Sequence, residues 1–365
     1  MASPIQEVRR LGQSIWLDYI RRNLVTSGEL KKLVQDGISG LTSNPTIFQK
    51  AIAQSNDYDE TLQALLKANP ATDIMTIYEH LTIEDIRMAA DILRPIYEAS
   101  DGIDGFVSLE VSPHLAYDTK ATTTEAMRLW RLVARPNLMI KVPATPQGIP
   151  AIETLVAEGV NINATLMFSQ GHYEAVSHAY IRGIAQHPNP QRIASVASFF
   201  VSRVDTYVDR ELERIGTEGA LALRGRAAIA NSKLVYQRSR QVFLGEEFAR
   251  ECKRGAHVQR VLWGSTSTKN PNYSDVMYVE GLIGPDTVNT LPLETINAFQ
   301  DHGRARRTLD EGLEAAEEVL ADLGKVGVDL ESVTEQLQRD GVKAFADSFD
   351  QLLSALSEKR KVWLA

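Results

Sequence analysis

Short apolar or β-branched segments alternate with longer amphipathic ones about eight times along this chain, and no other feature limits its fold as strongly. The strand-like segments are residues 14–19, 40–43, 106–111, 138–143, 160–168, 195–201 and 260–264. An eighth falls within 277–292, with 288–291 the candidate stretch. Helical patterns fill most of the gaps, among them 169–186, 202–215 and 220–243. Strands separated by helices pair in parallel through right-handed crossovers. About eight such units in 365 residues predict an α/β fold, a closed (β/α)8 barrel of the TIM type rather than an open sheet. From residue 304 onward strand signals stop. Val342, Phe345, Phe349, Leu352 and Leu356 recur at helical spacing, so 304–365 reads as a helical extension packed outside the barrel. No repeat or linker divides the chain, and His187-Pro188-Asn189-Pro190 reads as a surface turn. The expectation is one domain, 1–365.

Charge and composition remove several function classes. A formal charge of −8 argues against non-specific nucleic-acid binding, which needs a basic surface, but leaves room for a local basic pocket. No segment approaches the roughly 20 apolar residues of a membrane helix. The first ten residues carry Glu7, Arg9 and Arg10 and no apolar run. The expected location is therefore the cytoplasm, with no membrane partner. The single cysteine, Cys252, has no acid–base neighbour in sequence and reads as a packed or half-exposed helical residue. His114, His172 and His257 lack metal-ligand spacing, so no metal is expected.

Barrel strands are buried on both faces, so each polar residue inside one needs a reason. In Leu138-Met139-Ile140-Lys141-Val142-Pro143 one lysine stands among apolar residues near the strand's C-terminal end. Period two puts Met139 and Lys141 on one face. If that face points inward, desolvation and nearby cations favour the neutral amine, a nucleophile towards carbonyls. A lysine paired with a buried carboxylate for structure alone is the alternative. In the next strand Asn161, Asn163 and Thr165 alternate with Ile162, Ala164, Leu166 and Phe168. That polar stripe would face the barrel centre beside Lys141, although an exposed edge strand has the same alternation. Glu110 and Asp18 end their strands, where barrel active sites form. Each acid alone reads as a salt-bridge partner or cap; together with Lys141 they suit general acid and base roles.

Three loops complete the candidate site. In Thr42-Ser43-Asn44-Pro45 the favoured local reading is an Asn-Pro turn that starts a helix. The alternative is an asparagine held at the barrel mouth for substrate hydroxyls. Ser198 and Arg203 end the sixth strand, and Gly264-Ser265-Thr266-Ser267-Thr268-Lys269 follows the seventh. Barrels bind phosphate after their last strands, arginine as a fork and lysine as a point charge. Ordinary polar loops are the alternative for both.

The same pieces resemble the transaldolase family, in order and along nearly the whole chain. They are Trp16-Leu17-Asp18, Gly40-Leu41-Thr42-Ser43-Asn44-Pro45, Ser108-Leu109-Glu110-Val111, Met139 to Thr145, Asn161 to Ser169, and Ser198 to Arg203. Asn270-Pro271-Asn272-Tyr273-Ser274-Asp275 and Asn289-Thr290-Leu291-Pro292 are similar to the longer bacterial subgroup. The resemblance implies a class I aldol transfer with no metal or organic cofactor, on sugar phosphates of the pentose phosphate pathway. Lys141 would form a Schiff base with fructose 6-phosphate or sedoheptulose 7-phosphate. Asp18 would take the proton from the hydroxyl beside the breaking bond. Glu110, with a water held by Thr165, would shuttle protons. Thr42, Asn44, Asn163 and Ser198 would hold the retained three-carbon unit. Arg203, Ser265 and Lys269 would bind the phosphate, and glyceraldehyde 3-phosphate or erythrose 4-phosphate would be the acceptor. One departure weakens the Ser265 and Lys269 assignment. Shorter family members carry an arginine soon after that serine, and lysine lacks its bidentate fork. A fructose-6-phosphate aldolase using the same lysine, and a non-catalytic sugar-phosphate-binding barrel, are the rival readings. Monomer and homodimer both remain open.

Overall fold

Eight parallel strands close into a barrel in chain order, with β8 returning to pair with β1. The computed structural model describes residues 3–364, so the outermost ends of the expected 1–365 domain lie outside it. The strands are β1 (Gln13–Asp18), β2 (Leu41–Thr42), β3 (Val107–Glu110), β4 (Leu138–Pro143), β5 (Ile162–Met167), β6 (Ser195–Phe200), β7 (Arg260–Gly264) and β8 (Thr287–Leu291). The expected limits of β4 and β7 are met; the others move by one or two residues, because ladder bonding and apolar pattern do not stop together. Helices follow the strands on the outside, as right-handed crossovers require. Ser169 caps one of them (Gln170–Gln186) by accepting the His172 N–H at 3.1 Å.

The expected helix 220–243 needs correction. It is two helices, Glu218–Leu221 and Ala227–Phe243. Between them Gly225 takes a left-handed φ of +69°. The freed backbone amides find side chains of the helix Ser202–Ile215: Asp209 accepts the Gly225 N–H at 2.9 Å and Asp205 the Ala228 N–H at 2.7 Å. Apolar periodicity carries no signal for such a break.

Strand alternation sorts the barrel interior into two layers. Trp16, Phe106, Met139, Val196, Leu262 and Val288 form a buried apolar cluster inside the ring. Two residues further along several of those strands stand Asp18, Lys141, Ser198 and Thr290. Met139 and Lys141 therefore share the inward face of β4, as period two predicts. Below the apolar layer Asp104 accepts from Ser14 Oγ at 2.6 Å and Trp16 Nε1 at 2.8 Å, which closes the bottom of the barrel. The layering puts Asp18, Lys141, Ser198 and Thr290 at the C-terminal mouth and Asp104 at the sealed base.

The C-terminal extension supplies two helices, Leu313–Lys325 and Leu330–Leu364. The second packs outside the strands, as expected, and runs over their C-terminal ends. Its Gln338 Nε2 donates to Ala144 O and Leu166 O, both at 3.0 Å. Its Ser348 hydroxyl meets Thr46 Oγ1 at 2.8 Å.

Gly40, just before β2, leaves room for the Trp16 ring; a Cβ there would overlap the indole. Crowding of a packed core costs about 1–3 kcal/mol. Gly40→Ala is expected to lower the free energy of denaturant-induced unfolding by that amount, and an unchanged midpoint would contradict this packing.

Candidate active site

Lys141 ends up buried at the mouth of the barrel, 4% exposed. Ladder register sets its neighbours: Glu110 lies beside it on β3 and Asn163 on β5. Its Nζ stands 3.5 Å from Glu110 Oε2 and donates to Ser43 O at 3.2 Å. An isolated buried charge costs several kcal/mol, which a partner carboxylate offsets. Neither Glu110 oxygen has a hydrogen-bond partner among the described residues, and neither does the buried Thr165 hydroxyl. Buried polar groups are nearly always bonded, so the Glu110 carboxylate beside this amine stands out from an ordinary structural acid.

Hydrogen bonds lock the rest of the ring. Thr42 Oγ1 donates to Asp18 Oδ1 at 2.7 Å and lies 2.6 Å from Thr290 Oγ1. Ser198 Oγ donates to Asn163 Oδ1 at 2.6 Å, and Asn163 Nδ2 donates to Ser108 Oγ at 3.0 Å. Asn44 starts a helix, as its local sequence predicts. Its Oδ1 caps the helix Pro45–Ala53 by accepting the Ile47 N–H at 2.9 Å, and the residue also lines the cavity. After Thr165 the strand β5 slips register, and Leu166 adopts a left-handed φ of +60°. A bulge of this kind re-aims side chains beside functional sites.

The cavity above Lys141 holds about 140 Å³ and is bounded by Asp18, Asn44, Ser198, Arg203, Lys269 and Phe345, among others. A second cavity of about 420 Å³ adjoins it and shares Asp18 and Pro292. Arg203 sits in the first turn of Ser202–Ile215, its guanidinium 5.1 Å from the Phe200 ring, without an ion-pair partner among the described residues. On the facing loop Ser265 has a left-handed φ of +54°, and its hydroxyl is 3.0 Å from Ser202 Oγ. Lys269 Nζ donates to Ser267 Oγ at 2.5 Å. A guanidinium and an ammonium lining one cavity are groups that can hold an anion.

Burial dominates the acids. It pushes the Glu110 carboxyl up to about 7, against the pull of Lys141. It also raises Asp18, opposed by Lys141, by the Thr42 hydroxyl and by Arg203 and Lys269. Perturbed acids gathered at the mouth of a barrel identify a candidate reaction centre.

Comparison with known proteins agrees with this geometry. Residues 15–356 match the family model described as Transaldolase/Fructose-6-phosphate aldolase. The chain belongs to that family. It is 49% identical over 356 residues to a protein named Transaldolase from Thiobacillus denitrificans, covering 96% of this chain and 99% of the relative. It is 45% identical to Transaldolase 2 of Nostoc punctiforme, covering 98% and 97% of the two chains. It is 46% identical to the Transaldolase of Thermobifida fusca, covering 98% and 99%.

Within this family barrel, most residues singled out from sequence meet. Lys141, Asp18, Thr42, Asn44, Ser198, Arg203, Ser265 and Lys269 line one cavity. Glu110, Asn163 and Thr165 do not bound it; they stand behind Lys141 and Ser198 on β3 and β5. Asn161, the third member of the polar stripe, binds the Pro136, Leu138 and Ala194 backbone at the start of β5. Three further residues contribute. Thr290 stands in the candidate eighth strand and in the Asn289-Thr290-Leu291-Pro292 segment, without a site role of its own. Phe345 reads from sequence as part of an apolar packing stripe. Gln338 had no signal at all. Cys252 is exposed on Glu246–Lys253, more open than a packed residue. His172 is buried against Glu335 at 2.7 Å and His114 pairs with Asp350 at 2.7 Å.

The raised Glu110 sets a pH dependence for any reaction needing a neutral Lys141. Below about 7 the carboxyl keeps its own proton and accepts none from the amine. The rate of imine formation at Lys141 is expected to rise with pH through about 7 and then level off. Glu110→Gln removes that inflection; a wild-type profile flat between pH 5 and 8 would contradict the coupling.

Proposed function

We propose that this protein is a transaldolase, moving a dihydroxyacetone unit from a ketose phosphate to an aldose phosphate through a Schiff base on Lys141. One observation carries the reading: a buried amine 3.5 Å from an acid held near neutrality, in a ring closed by Asp18 and faced by an unpaired arginine. The relatives named Transaldolase along nearly the full chain support it.

In this scheme Lys141 passes its proton to Glu110 and attacks the ketone of fructose 6-phosphate or sedoheptulose 7-phosphate. Glu110 returns the proton to the carbinolamine hydroxyl, which leaves as water; Thr165 stands ready to hold it. The iminium is an electron sink. Asp18, partly accessible from the cavity, takes the proton from the hydroxyl beside the breaking carbon–carbon bond, and an aldose phosphate departs. The enamine left on Lys141 attacks glyceraldehyde 3-phosphate or erythrose 4-phosphate, and the steps run in reverse. Thr42, Asn44, Asn163 and Ser198 position the three-carbon unit, while Arg203, Ser265 and Lys269 hold the phosphate. No described helix is long and apolar enough to cross a membrane, and with sugar phosphates as substrates we place the enzyme in the cytoplasm.

A two-substrate assay tests the reading. Fructose 6-phosphate should be consumed much faster with erythrose 4-phosphate than without it. Lys141→Ala should lower turnover by roughly a thousandfold or more while remaining folded. Equal consumption without acceptor, or substantial turnover by Lys141→Ala, would overturn it.

A further inference from the structure

The C-terminal helix Leu330–Leu364 reaches the reaction centre through one face. Gln338, Gly341 and Phe345 follow at helical spacing. Gln338 ties the helix to the ends of β4 and β5. Gly341 lets its backbone approach the bulge: a Cβ there would stand 2.9 Å from Leu166 Cδ2 and 3.7 Å from Arg203 Nη1. One turn on, the Phe345 ring lies 5.8 Å from Lys141 Nζ and 5.9 Å from the Arg203 guanidinium carbon. Phe345 is 3% exposed and bounds the cavity above Lys141. It is the aromatic side chain that faces both the reacting amine and the phosphate-side cation, and it comes from outside the barrel.

We propose that Phe345 is a specificity-determining wall of the site, whose ring keeps water from the three-carbon intermediate on Lys141 and so commits the enzyme to transfer rather than cleavage. The inference rests on the transaldolase reading. After the aldose phosphate leaves, the enamine has two fates. It can attack an acceptor aldehyde, forming a carbon–carbon bond. Alternatively its nucleophilic carbon takes a proton, water adds to the resulting iminium carbon, and the carbon–nitrogen bond breaks to release dihydroxyacetone and the free amine. The second route needs only a proton and a water molecule. A flat apolar ring over the amine obstructs that water while attracting the iminium cation to its face.

The helix is held independently of this ring. Phe349, one turn further, packs edge-on to Tyr78 at 5.2 Å and stands 6.0 Å from the His114 ring. It is as buried as Phe345, at 4% exposed, which makes Phe349→Leu a control for general loosening of the helix.

The experiment measures fructose 6-phosphate cleavage without acceptor and transfer to erythrose 4-phosphate in wild type, Phe345→Leu, Phe345→Ala and Phe349→Leu, each checked for folding by circular dichroism. The cleavage-to-transfer ratio should rise about tenfold in Phe345→Ala and by a smaller factor in Phe345→Leu, with Phe349→Leu within about twofold of wild type. An unchanged ratio in folded Phe345→Leu overturns the proposal, and so does an equal rise in Phe349→Leu. If Phe345→Ala does not fold, Phe345→Leu decides. A failure of the transaldolase reading would show in the wild type instead, as acceptor-independent consumption of substrate.

Discussion

The ion pair between Lys141 and Glu110 is the constraint around which this barrel is arranged. An amine at 4% exposure needs a polar partner in reach, and β3–β4 register places one at 3.5 Å. The apolar layer beneath them, with Met139 on the lysine's own strand face, dries the site from below. The polar ring of Thr42, Asp18, Thr290, Ser198 and Asn163 holds it from the sides through short hydrogen bonds. Lys141 also donates to Ser43 O, whereas the Glu110 oxygens have only the amine in reach among the described residues.

Chemistry and anchoring are divided along the strand axis. Groups near the base, such as Asp104 and Asn161, satisfy backbone or indole donors and close the barrel. Groups near the mouth carry the shifted acids and the cations. The C-terminal helix then adds a roof. Its attachment through Gln338 to the two strand ends that flank Thr165 links the extension to the bulge at Leu166. A helix that first looks like external packing becomes part of the cavity wall.

Strand alternation made the barrel legible, because period two and parallel crossovers leave few topologies for eight such segments. It also put Met139 and Lys141 on one face, and the structure turns that face inward, because a residue two places after a buried apolar one shares its side of the strand. The local reading of Asn44 as a helix start was sound, and the same residue lines the cavity, because an Asn cap engages only one of its two polar atoms. Phe345 escaped because an apolar helix stripe looks alike whether it meets other helices or a barrel mouth. The split at Gly225 escaped because it depends on Asp205 and Asp209, which reach the freed amides only through tertiary contact. The loop after β7 reads as an anion-site candidate from its composition and place, whereas loop geometry such as the left-handed Ser265 is invisible to periodicity.

What the account needs most is the amine at position 141 acting as the carbon–nitrogen bond former. Incubation with fructose 6-phosphate and borohydride, followed by peptide mass analysis, measures that directly. The predicted result is one reduced three-carbon unit on the peptide containing Lys141 and none on the peptide containing Lys269. An unmodified Lys141 in enzyme that is turning substrate over, or a label carried by another lysine, would contradict it.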